Sequence, residues 1–432
     1  MSNHIIVFSE KKSNRLSYVL REVLVRRLNW TFQIETDVEA FSTAQGARLN
    51  YSNQSISGVP SIKPSGLLTE KSVREIEFDH TINEDFHLFI NDDSFLGFDL
   101  FSDVFFHLSL YQEYWPHKTD EHGRNTFSES VLVASDAYQV PWVDKHTRDF
   151  AFRLISFYEE LTAESSTAKS VVTVDVDQLL AIRSKGLVRS FFAAIRDLLK
   201  GKLTERVRVL RGKKADPLDV YDSLTDIAKS SDSDLLFFFQ VGQNSRYDIN
   251  NPPHLHGVKQ RISEIAFQNQ IGLHPSYYSS DSVDLLESEV VRLESIVSDS
   301  VRKSRQHYLR FKLPVTFRQL AELGIKDDYS MAFHNRNGFR AATCRPFKFF
   351  DIQKDETVDI DLHSAAWMDM IAFTGRAKLE DIHDEFNRLR DEVVEFGGEF
   401  ITIWHPEQIV GLHGDSRFED FKSVMLRDEL AA

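Results

Sequence analysis

Residues 171–177 read VVTVDVD, an apolar run that ends in two aspartates separated by one valine. Such a run is typical of a buried parallel strand. Because side chains alternate along a strand, Asp175 and Asp177 point to the same side if the strand continues through them. Two carboxylates that close raise one another's pKa unless a cation separates them. The pair indicates a metal ligand beside a general base, although an isolated DxD is more often a strand-end cap or turn.

Predicted strands and helices alternate strictly after this segment. Four helices are predicted, over residues 257–269, 283–298, 315–323 and 378–396. The strands that alternate with them are DLLFFFQVG (234–242), IGLHPSYYS (271–279), SRQHYLRF (304–311), DDYSMAF (327–333) and EFITIWHP (399–406). Strands and helices in turn are typical of parallel strands with crossover helices, in either an open sheet or a barrel.

The first part of the chain has a less regular, mixed α/β pattern. Its predicted strands cover residues 5–8, 30–34 and 86–90, its loop 50–71, and its helices 15–28, 100–115 and 147–161. The small polar segment TAESSTAKS (162–170) is typical of a domain junction. Since 432 residues exceed the usual size of one hydrophobic core, we predict two domains, residues 1–165 and 170–432. Position alone suggests that the first domain positions a substrate or binds a partner.

Composition limits the classes of partner. A formal net charge of -15 repels phosphate backbones, so nucleic acid is not expected. The most basic stretch, residues 183–214, looks like a helical insertion whose charges form a solvated face, with a patch for an anionic ligand or membrane surface as the alternative. The 34 Phe residues either fill a core or line a sugar-binding cleft.

The sequence also bears on location and covalent chemistry. No apolar run is long enough to span a membrane, and the first residues lack the apolar core of a signal peptide, so we predict a cytoplasmic protein without a transmembrane segment. The lone Cys344 excludes an internal disulfide and a multi-cysteine zinc site within one chain.

Polar residues follow several of the predicted strands. His274 follows IGL, His405 follows FITIW, and Arg305 and His307 lie in SRQHYLRF. Each has an ordinary structural explanation, such as a buried hydrogen-bonded imidazole or a surface salt bridge. In a parallel barrel, however, the carboxyl ends of the strands meet at one face. With the two aspartates, these side chains form a hydrolytic constellation.

The order of these motifs resembles the polysaccharide deacetylase family, the NodB-homology domain of carbohydrate esterase family four. The resemblance covers about the last 260 residues, through DVD, FFFQVG, IGLHPS, SRQHY, LGIKDDYSM and ITIWHP. It implies a divergent bacterial member with an extra N-terminal domain and a distorted (β/α) barrel. It also implies a divalent metal ion, expected to be zinc, and removal of N-acetyl or O-acetyl groups from a carbohydrate substrate.

The resemblance assigns roles residue by residue. Asp175 is similar to the catalytic base and Asp177 to the metal-binding aspartate, and His274 matches the first histidine of the HSxxH metal motif. Arg305 falls where an arginine orients the base, and His405 at the late histidine that acts as general acid. The implied mechanism activates water with the metal and Asp175, while His405 protonates the leaving amine.

The sequence departs from the family at the second histidine of that metal motif, where Tyr278 stands. His307 is the candidate replacement, with a structural role as the equal alternative. Tyr278, Tyr308 and Trp367 are the candidate substrate-binding residues. For the other polar residues of the later strand-loop region a structural role is favoured: Asp328, His334, Arg340, Arg345 and Asp369.

Other functions remain open at this point. A metal-free carbohydrate-binding or scaffold pseudoenzyme would keep the fold and explain Tyr278. A hydrolase of another C–N amide bond would keep the metal and change the substrate. The oligomeric state has no sequence signal.

Overall fold

The amino-terminal region is built on a small parallel sheet. The structure is a computed structural model that describes residues 3–78, 86–163, 166–199, 201, 203–373, 378–411 and 417–426. The strands of the first sheet are β1 (His4–Phe8), β2 (Thr31–Glu35) and β3 (Ala47–Asn50). They pair in the order β2–β1–β3, with every pairing parallel. The mixed α/β prediction for this region is confirmed.

Helices and short turns pack around this sheet. The helices are α1 (Asn14–Leu20), which continues as a π-helix over Arg21–Arg27, α2 (Val38–Thr43), α3 (Leu100–Leu108), α4 (Val131–Ala134) and α5 (Trp142–Phe157). Two 3-10 turns cover Leu67–Thr69 and Tyr111–Tyr114.

Two predictions for this region are wrong. Residues 86–90 form no strand but one isolated bridge, because Phe89 has a positive φ of 54° and the Leu88 amide donates to the Asp103 carboxylate. The helix predicted over 100–115 ends at Leu108, since Leu110 has a φ of 54° and breaks the helical path.

The rest of the chain forms a seven-stranded parallel barrel among the described residues. Its strands, in the order in which they pair around the ring, are β4 (Ala168–Val176), β5 (Asp234–Phe239), β6 (Gln270–Leu273), β7 (Lys303–Ser304), β8 (Asp327–Met331), β10 (Glu356–Met368) and β11 (Gly398–Trp404). The ring closes because β11 pairs in parallel with both β10 and β4. An eighth strand, β9 (Phe347–Asp351), lies antiparallel on the outer side of β10.

The sequence did not predict β9 or β10, which follow β8 without an intervening helix. Helices connect the other barrel strands, as predicted. They are α6 (Leu187–Leu199), α7 (Leu203–Leu210), α8 (Tyr221–Ser230), α9 (His256–Gln268), α10 (Val283–Val297), α11 (Val315–Glu322), α12 (Asp369–Ala372), α13 (Leu379–Phe396), α14 (Pro406–Ile409) and α15 (Phe418–Leu426). A 3-10 turn covers Tyr277–Asp281. No helix of the described residues is long and apolar enough to cross a membrane.

The barrel is irregular at β7, which has only two residues. A strand through SRQHYLRF is therefore a wrong prediction: the chain turns into a 3-10 segment at His307–Leu309, where Tyr308 and Leu309 have φ values of 60° and 53°. Only one residue pair, Leu273 and Ser304, joins β6 to β7.

The amino-terminal region packs directly on the barrel through a continuous hydrophobic core. The Tyr18 ring lies 5.0 Å from the ring of Phe350 on β9, and its hydroxyl donates to the Lys348 carbonyl at 2.8 Å. The buried Arg27 donates to Asp144 at 3.1 Å and to Thr343 at 3.0 Å. The division into domains 1–165 and 170–432 stays a prediction.

Candidate metal centre and active site

Three predicted metal ligands converge at the carboxyl end of the barrel. Asp177 follows β4, His274 follows β6, and His307 begins the 3-10 segment after β7. The Asp177 Oδ1 atom lies 3.2 Å from Nε2 of His274 and 3.5 Å from Nε2 of His307. One donor atom of each residue lies within 4.8 Å of the other two, a spacing that suits a shared metal ion. Tyr278 contributes nothing to this group.

The His274 ring is held in the tautomer that a metal ligand requires. Its Nδ1 lies 2.6 Å from the backbone carbonyl of Arg305. A carbonyl only accepts hydrogen bonds, so Nδ1 carries the proton and Nε2 keeps its lone pair. That lone pair lies on the side of Asp177, which is the arrangement found at metal-ligating histidines.

The His307 ring is oriented in the same way by a carboxylate. Its Nδ1 lies 2.9 Å from Asp248 Oδ1, and the Gln240 amide donates to the same oxygen at 2.9 Å. Asp248 is itself fixed, because its Oδ1 also accepts from the Tyr277 amide at 2.9 Å. Burial lowers the pKa of His307, but Asp177 and Asp248 outweigh it and raise that pKa to about 9.

The electrostatics of Asp177 fit a cation. Burial favours its neutral form, but the charge of His307 and the contact with His274 outweigh burial and hold the pKa of Asp177 well below its ordinary value. Its Oδ1 atom is buried and has no hydrogen-bond partner among the described residues, although two imidazole nitrogens face it. A divalent cation would satisfy this oxygen and both lone pairs. The three residues therefore fit a metal site with three protein ligands.

A buried ion pair holds the second aspartate. Arg305 is completely buried, and its Nη1 donates to Asp175 Oδ1 at 2.9 Å and to Thr173 Oγ1 at 2.6 Å. Its Nε donates to the Tyr329 carbonyl at 3.0 Å, and the guanidinium lies over the Phe238 ring, 4.7 Å from its centroid. Arg305 thus fixes the orientation of Asp175 in the barrel interior.

His405 follows β11, the strand next to β4, and approaches Asp175 from that side. Its Nε2 lies 4.0 Å from Asp175 Oδ2, while its Nδ1 bonds to Asp369 Oδ1 at 2.7 Å. Burial lowers the pKa of His405, but Asp369 first, then Asp175 and Asp177, raise it to about 10. The imidazole is therefore protonated at neutral pH and can donate a proton from Nε2.

These groups line one cavity of about 1120 Å³. Another acidic residue on its wall, Glu407 on α14, has two buried carboxylate oxygens with no hydrogen-bond partner among the described residues. Burial, and then the charge of Asp177, raise the pKa of Glu407 to about 8. At neutral pH Glu407 therefore holds its proton, whereas Asp177 is ionised.

The predicted substrate-binding residues are placed differently from one another. Tyr308 lines the cavity. Tyr278 is 44% exposed and lies outside the lining, next to Tyr247, which does line it. Trp367 does not reach the cavity: its ring is 1% exposed and packs 4.8 Å from the ring of Trp404. The hydrophobic effect places it in the core, which corrects its assignment to a sugar-binding surface.

The remaining polar candidates are mostly structural, as the sequence indicated. Arg340 pairs with Glu113 at 2.5 Å, and Arg345 donates to the Phe396 carbonyl at 2.6 Å. Asp328 accepts from the Ser304 hydroxyl at 2.7 Å. His334 differs, because it lines the cavity. Asp369 also differs, because it supports His405.

Sequence reasoning missed three residues of this site, Asp248, Glu407 and Arg124, and favoured a purely structural role for Asp369. Asp248 lies in the loop after β5, and a carboxylate there had no pattern to mark it. Arg124 comes from the amino-terminal region, yet it lines the cavity and donates to the Tyr308 carbonyl at 2.8 Å. Glu407 stands two residues after His405, and this proximity was the only available signal.

Comparisons with known proteins give different results for the two parts of the chain. Residues 5–159 match a family described as a family of unknown function (DUF7033). No curated protein sequence matches the chain significantly. The barrel, by contrast, is similar to solved structures of polysaccharide deacetylases over about 62% of the chain.

Three solved structures illustrate this similarity. A polysaccharide deacetylase from Mycobacterium smegmatis is 15% identical, with a TM-score of 0.41 over 62% of this chain and 86% of that one. The Puue allantoinase is 12% identical, with a TM-score of 0.38 over 61% and 85%. A pseudoenzyme of carbohydrate esterase family four from Bacillus anthracis is 11% identical, with a TM-score of 0.30 over 62% and 66%.

Proposed function

We propose that this chain is a metal-dependent deacetylase that removes acetyl groups, N-acetyl in the first place, from a sugar or polysaccharide precursor. One observation carries the proposal: Asp177, His274 and His307 converge in the same cavity as the Asp175–Arg305 and His405–Asp369 pairs. The order of the motifs supports the acetylated carbohydrate as substrate.

A divalent cation held by Asp177, His274 and His307, proposed to be zinc, supplies Lewis acidity. Asp175 accepts a proton from the attacking water, and its pairing with Arg305 keeps the carboxylate oriented while that proton arrives. His405 donates its Nε2 proton to the leaving nitrogen as the C–N bond breaks, so acetate and an amine leave. Asp369 stabilises the charged imidazole before the transfer.

The shape and lining of the cavity suit a sugar. Its walls combine the carboxylates and imidazoles of the site with the aromatic rings of Tyr247 and Tyr308. An aromatic ring offers an apolar face to the C–H groups of a pyranose, while polar groups bind its hydroxyls. A cavity of about 1120 Å³ has room for more than one sugar unit.

The test is acetate release from N-acetylated and O-acetylated oligosaccharides by the full chain loaded with zinc. We expect release from an N-acetylated substrate, loss of activity in His307→Ala, and unchanged activity in His254→Ala, which removes an exposed histidine. Bound metal is measured on the same samples. Stoichiometric metal without any amide hydrolysis contradicts the proposal.

The alternative, a metal-free carbohydrate-binding scaffold, gives a different result in that experiment. It predicts no stoichiometric metal, before or after incubation with zinc, and sugar binding that His307→Ala does not alter. Hydrolysis of a non-sugar amide would instead retain the metal and its dependence on His307. A cytoplasmic location remains part of the proposal and is tested by cell fractionation.

A further inference from the structure

Helix α6 exposes large apolar side chains to solvent. Among its described side chains, five large apolar ones are more than two-fifths exposed, and two of these are phenylalanines whose rings lie 5.8 Å apart. These residues, with their exposed fractions, are Phe191 (63%), Phe192 (66%), Ile195 (43%), Leu198 (61%) and Leu199 (82%). A contiguous exposed apolar patch on a folded protein marks an interaction surface.

The apolar residues lie on one side of the helix, and that side faces outward. At about 100° per residue, all five fall within an arc of roughly 120°. Asp197 projects from the other side and is paired with the buried Arg206 of α7 at 2.5 Å. A surface helix of a globular protein normally turns its apolar stripe to the core. Here Asp197 is turned inward instead, and the apolar stripe is exposed.

The segment that carries this helix is strongly basic, although the chain as a whole is acidic. Residues 183–214 contain eleven Lys or Arg and two acidic residues in the sequence, against a net charge of -15 for the full chain. Arg208, Arg211 and Lys213 are exposed beyond the end of the apolar helix. Apolar side chains with adjacent basic ones are typical of helices that lie in the interface of anionic membranes.

The apolar surface continues to the candidate active site. Phe192 and Ala193 of α6 line the cavity, together with Ile182 and Lys185 at the start of the insertion. The exposed Ile249 also belongs to the lining. A molecule with an apolar part and a sugar part can therefore contact α6 and the metal site at once.

We propose that α6 and the basic residues after it dock this chain on an anionic lipid surface, so that the cavity receives a lipid-anchored acetylated sugar. The docking step stands on the surface alone, while the substrate class rests on the proposed deacetylase function. A second copy of the chain is a poorer occupant, because a symmetric interface would bring the two basic segments together. A lipid surface instead offers both a negative charge and an apolar phase.

The docking step is tested by flotation of the full chain with vesicles of phosphatidylcholine containing about one third phosphatidylglycerol. We expect binding that weakens in high salt and is absent with pure phosphatidylcholine. The double variant Phe191→Gln, Leu199→Gln should lower the partition constant about tenfold or more. The matched control is Phe267→Gln, which removes a phenylalanine that is 90% exposed on α9. Circular dichroism checks that each variant is folded.

Several outcomes overturn the proposal. These are no binding to anionic vesicles, equal loss in the control variant, or a dimer in light scattering that the double variant converts to monomer. The variant His307→Ala should bind vesicles like the unaltered chain, so failure of deacetylation and failure of docking are distinguishable.

With acetylated sugars as substrates, the double variant should lose activity on a lipid-linked sugar in vesicles and keep it on a soluble one. Equal activity on both contradicts the substrate class.

Discussion

Two hydrogen bonds join His405 to Asp369, both at 2.7 Å. One lies between the imidazole Nδ1 and Oδ1, and the His405 backbone amide donates the other to Oδ2. Asp369 begins α12 and is fully buried, so its charge is not screened by water. This contact keeps His405 protonated despite its burial and aims Nε2 at the side of the cavity where Asp175 lies.

Asp369→Asn should lower the pKa of His405 from about 10, because burial then acts with less opposition. His405 would lose its proton at a lower pH, so the alkaline limit of kcat should move to lower pH. We expect kcat at neutral pH to fall, by at most the roughly 100- to 10,000-fold that general acid catalysis contributes. The measurement is a pH–rate profile, with the exposed Asp391→Asn as control. An unshifted alkaline limit contradicts the assignment.

Metal affinity should depend on Asp248 as well as on the ligands. Since Asp248 orients His307, Asp248→Asn should weaken zinc binding by roughly 10- to 100-fold, while His307→Ala should abolish stoichiometric binding. Tyr278→Ala should leave the affinity unchanged, because Tyr278 is 44% exposed and does not line the cavity that holds the ligand group. Competition with a chromogenic chelator measures all three. Zinc loss in Tyr278→Ala would show that the hydroxyl takes the place of the missing histidine.

Zinc binding by the metal-free protein should strengthen as the pH rises from 6 to about 9. His307 has a raised pKa of about 9, so below that pH a cation must displace a proton from it. One displaced proton gives up to about a tenfold change in affinity for each pH unit. The folding stability of the metal-free protein depends on pH in the opposite direction. The part of it that comes from protonated His307 is complete below pH 6.5 and is lost as the pH rises through about 9. Calorimetry in two buffers of different ionisation enthalpy measures the released proton, and a flat affinity contradicts the site.

Removal of Arg305 should destabilise the fold as well as stop catalysis. Arg305→Met leaves the buried Asp175 without its cation, which costs about 3–5 kcal/mol for a buried pair. Adding Asp175→Asn should recover a large part of that loss without restoring activity. Urea denaturation gives the free energy of unfolding for the three variants. If Arg305→Met is as stable as the unaltered protein, the Arg305–Asp175 ion pair does not stabilise the fold.

Arg124 offers a test of the amino-terminal region. Arg124→Ala removes the bond to the Tyr308 carbonyl and a charged group on the cavity wall. We expect KM to rise several-fold with a smaller change in kcat, since the residue positions the wall and touches no metal ligand. Arg74→Ala, which removes an exposed arginine elsewhere in the amino-terminal region, is the control. An unchanged KM would indicate that Arg124 of the amino-terminal region does not contribute to substrate binding.

The local pattern of apolar and polar residues was sufficient to predict much of the fold. Apolar strand runs alternate with amphipathic helices after residue 170, and this periodicity predicted parallel strands without deciding between an open sheet and a barrel. Closure required the pairing of β11 with β4, a contact between residues more than 220 positions apart. The strand predicted over 304–311 was too long, because tertiary contacts, and not propensity, maintain the two-residue strand β7.

The sequence by itself determined which residues follow the strands, and so which side chains were candidates: Asp175, Asp177, His274, Arg305 and His405. Only the tertiary structure decided their partners. Asp369, Asp248 and Arg124 joined the site from other segments, and Trp367 was withdrawn into the core. The structure also turned the apolar face of α6 outward. The physical reason is that hydrophobic periodicity is local, whereas a pKa, a ligand group or an exposed face depends on residues that only folding brings together.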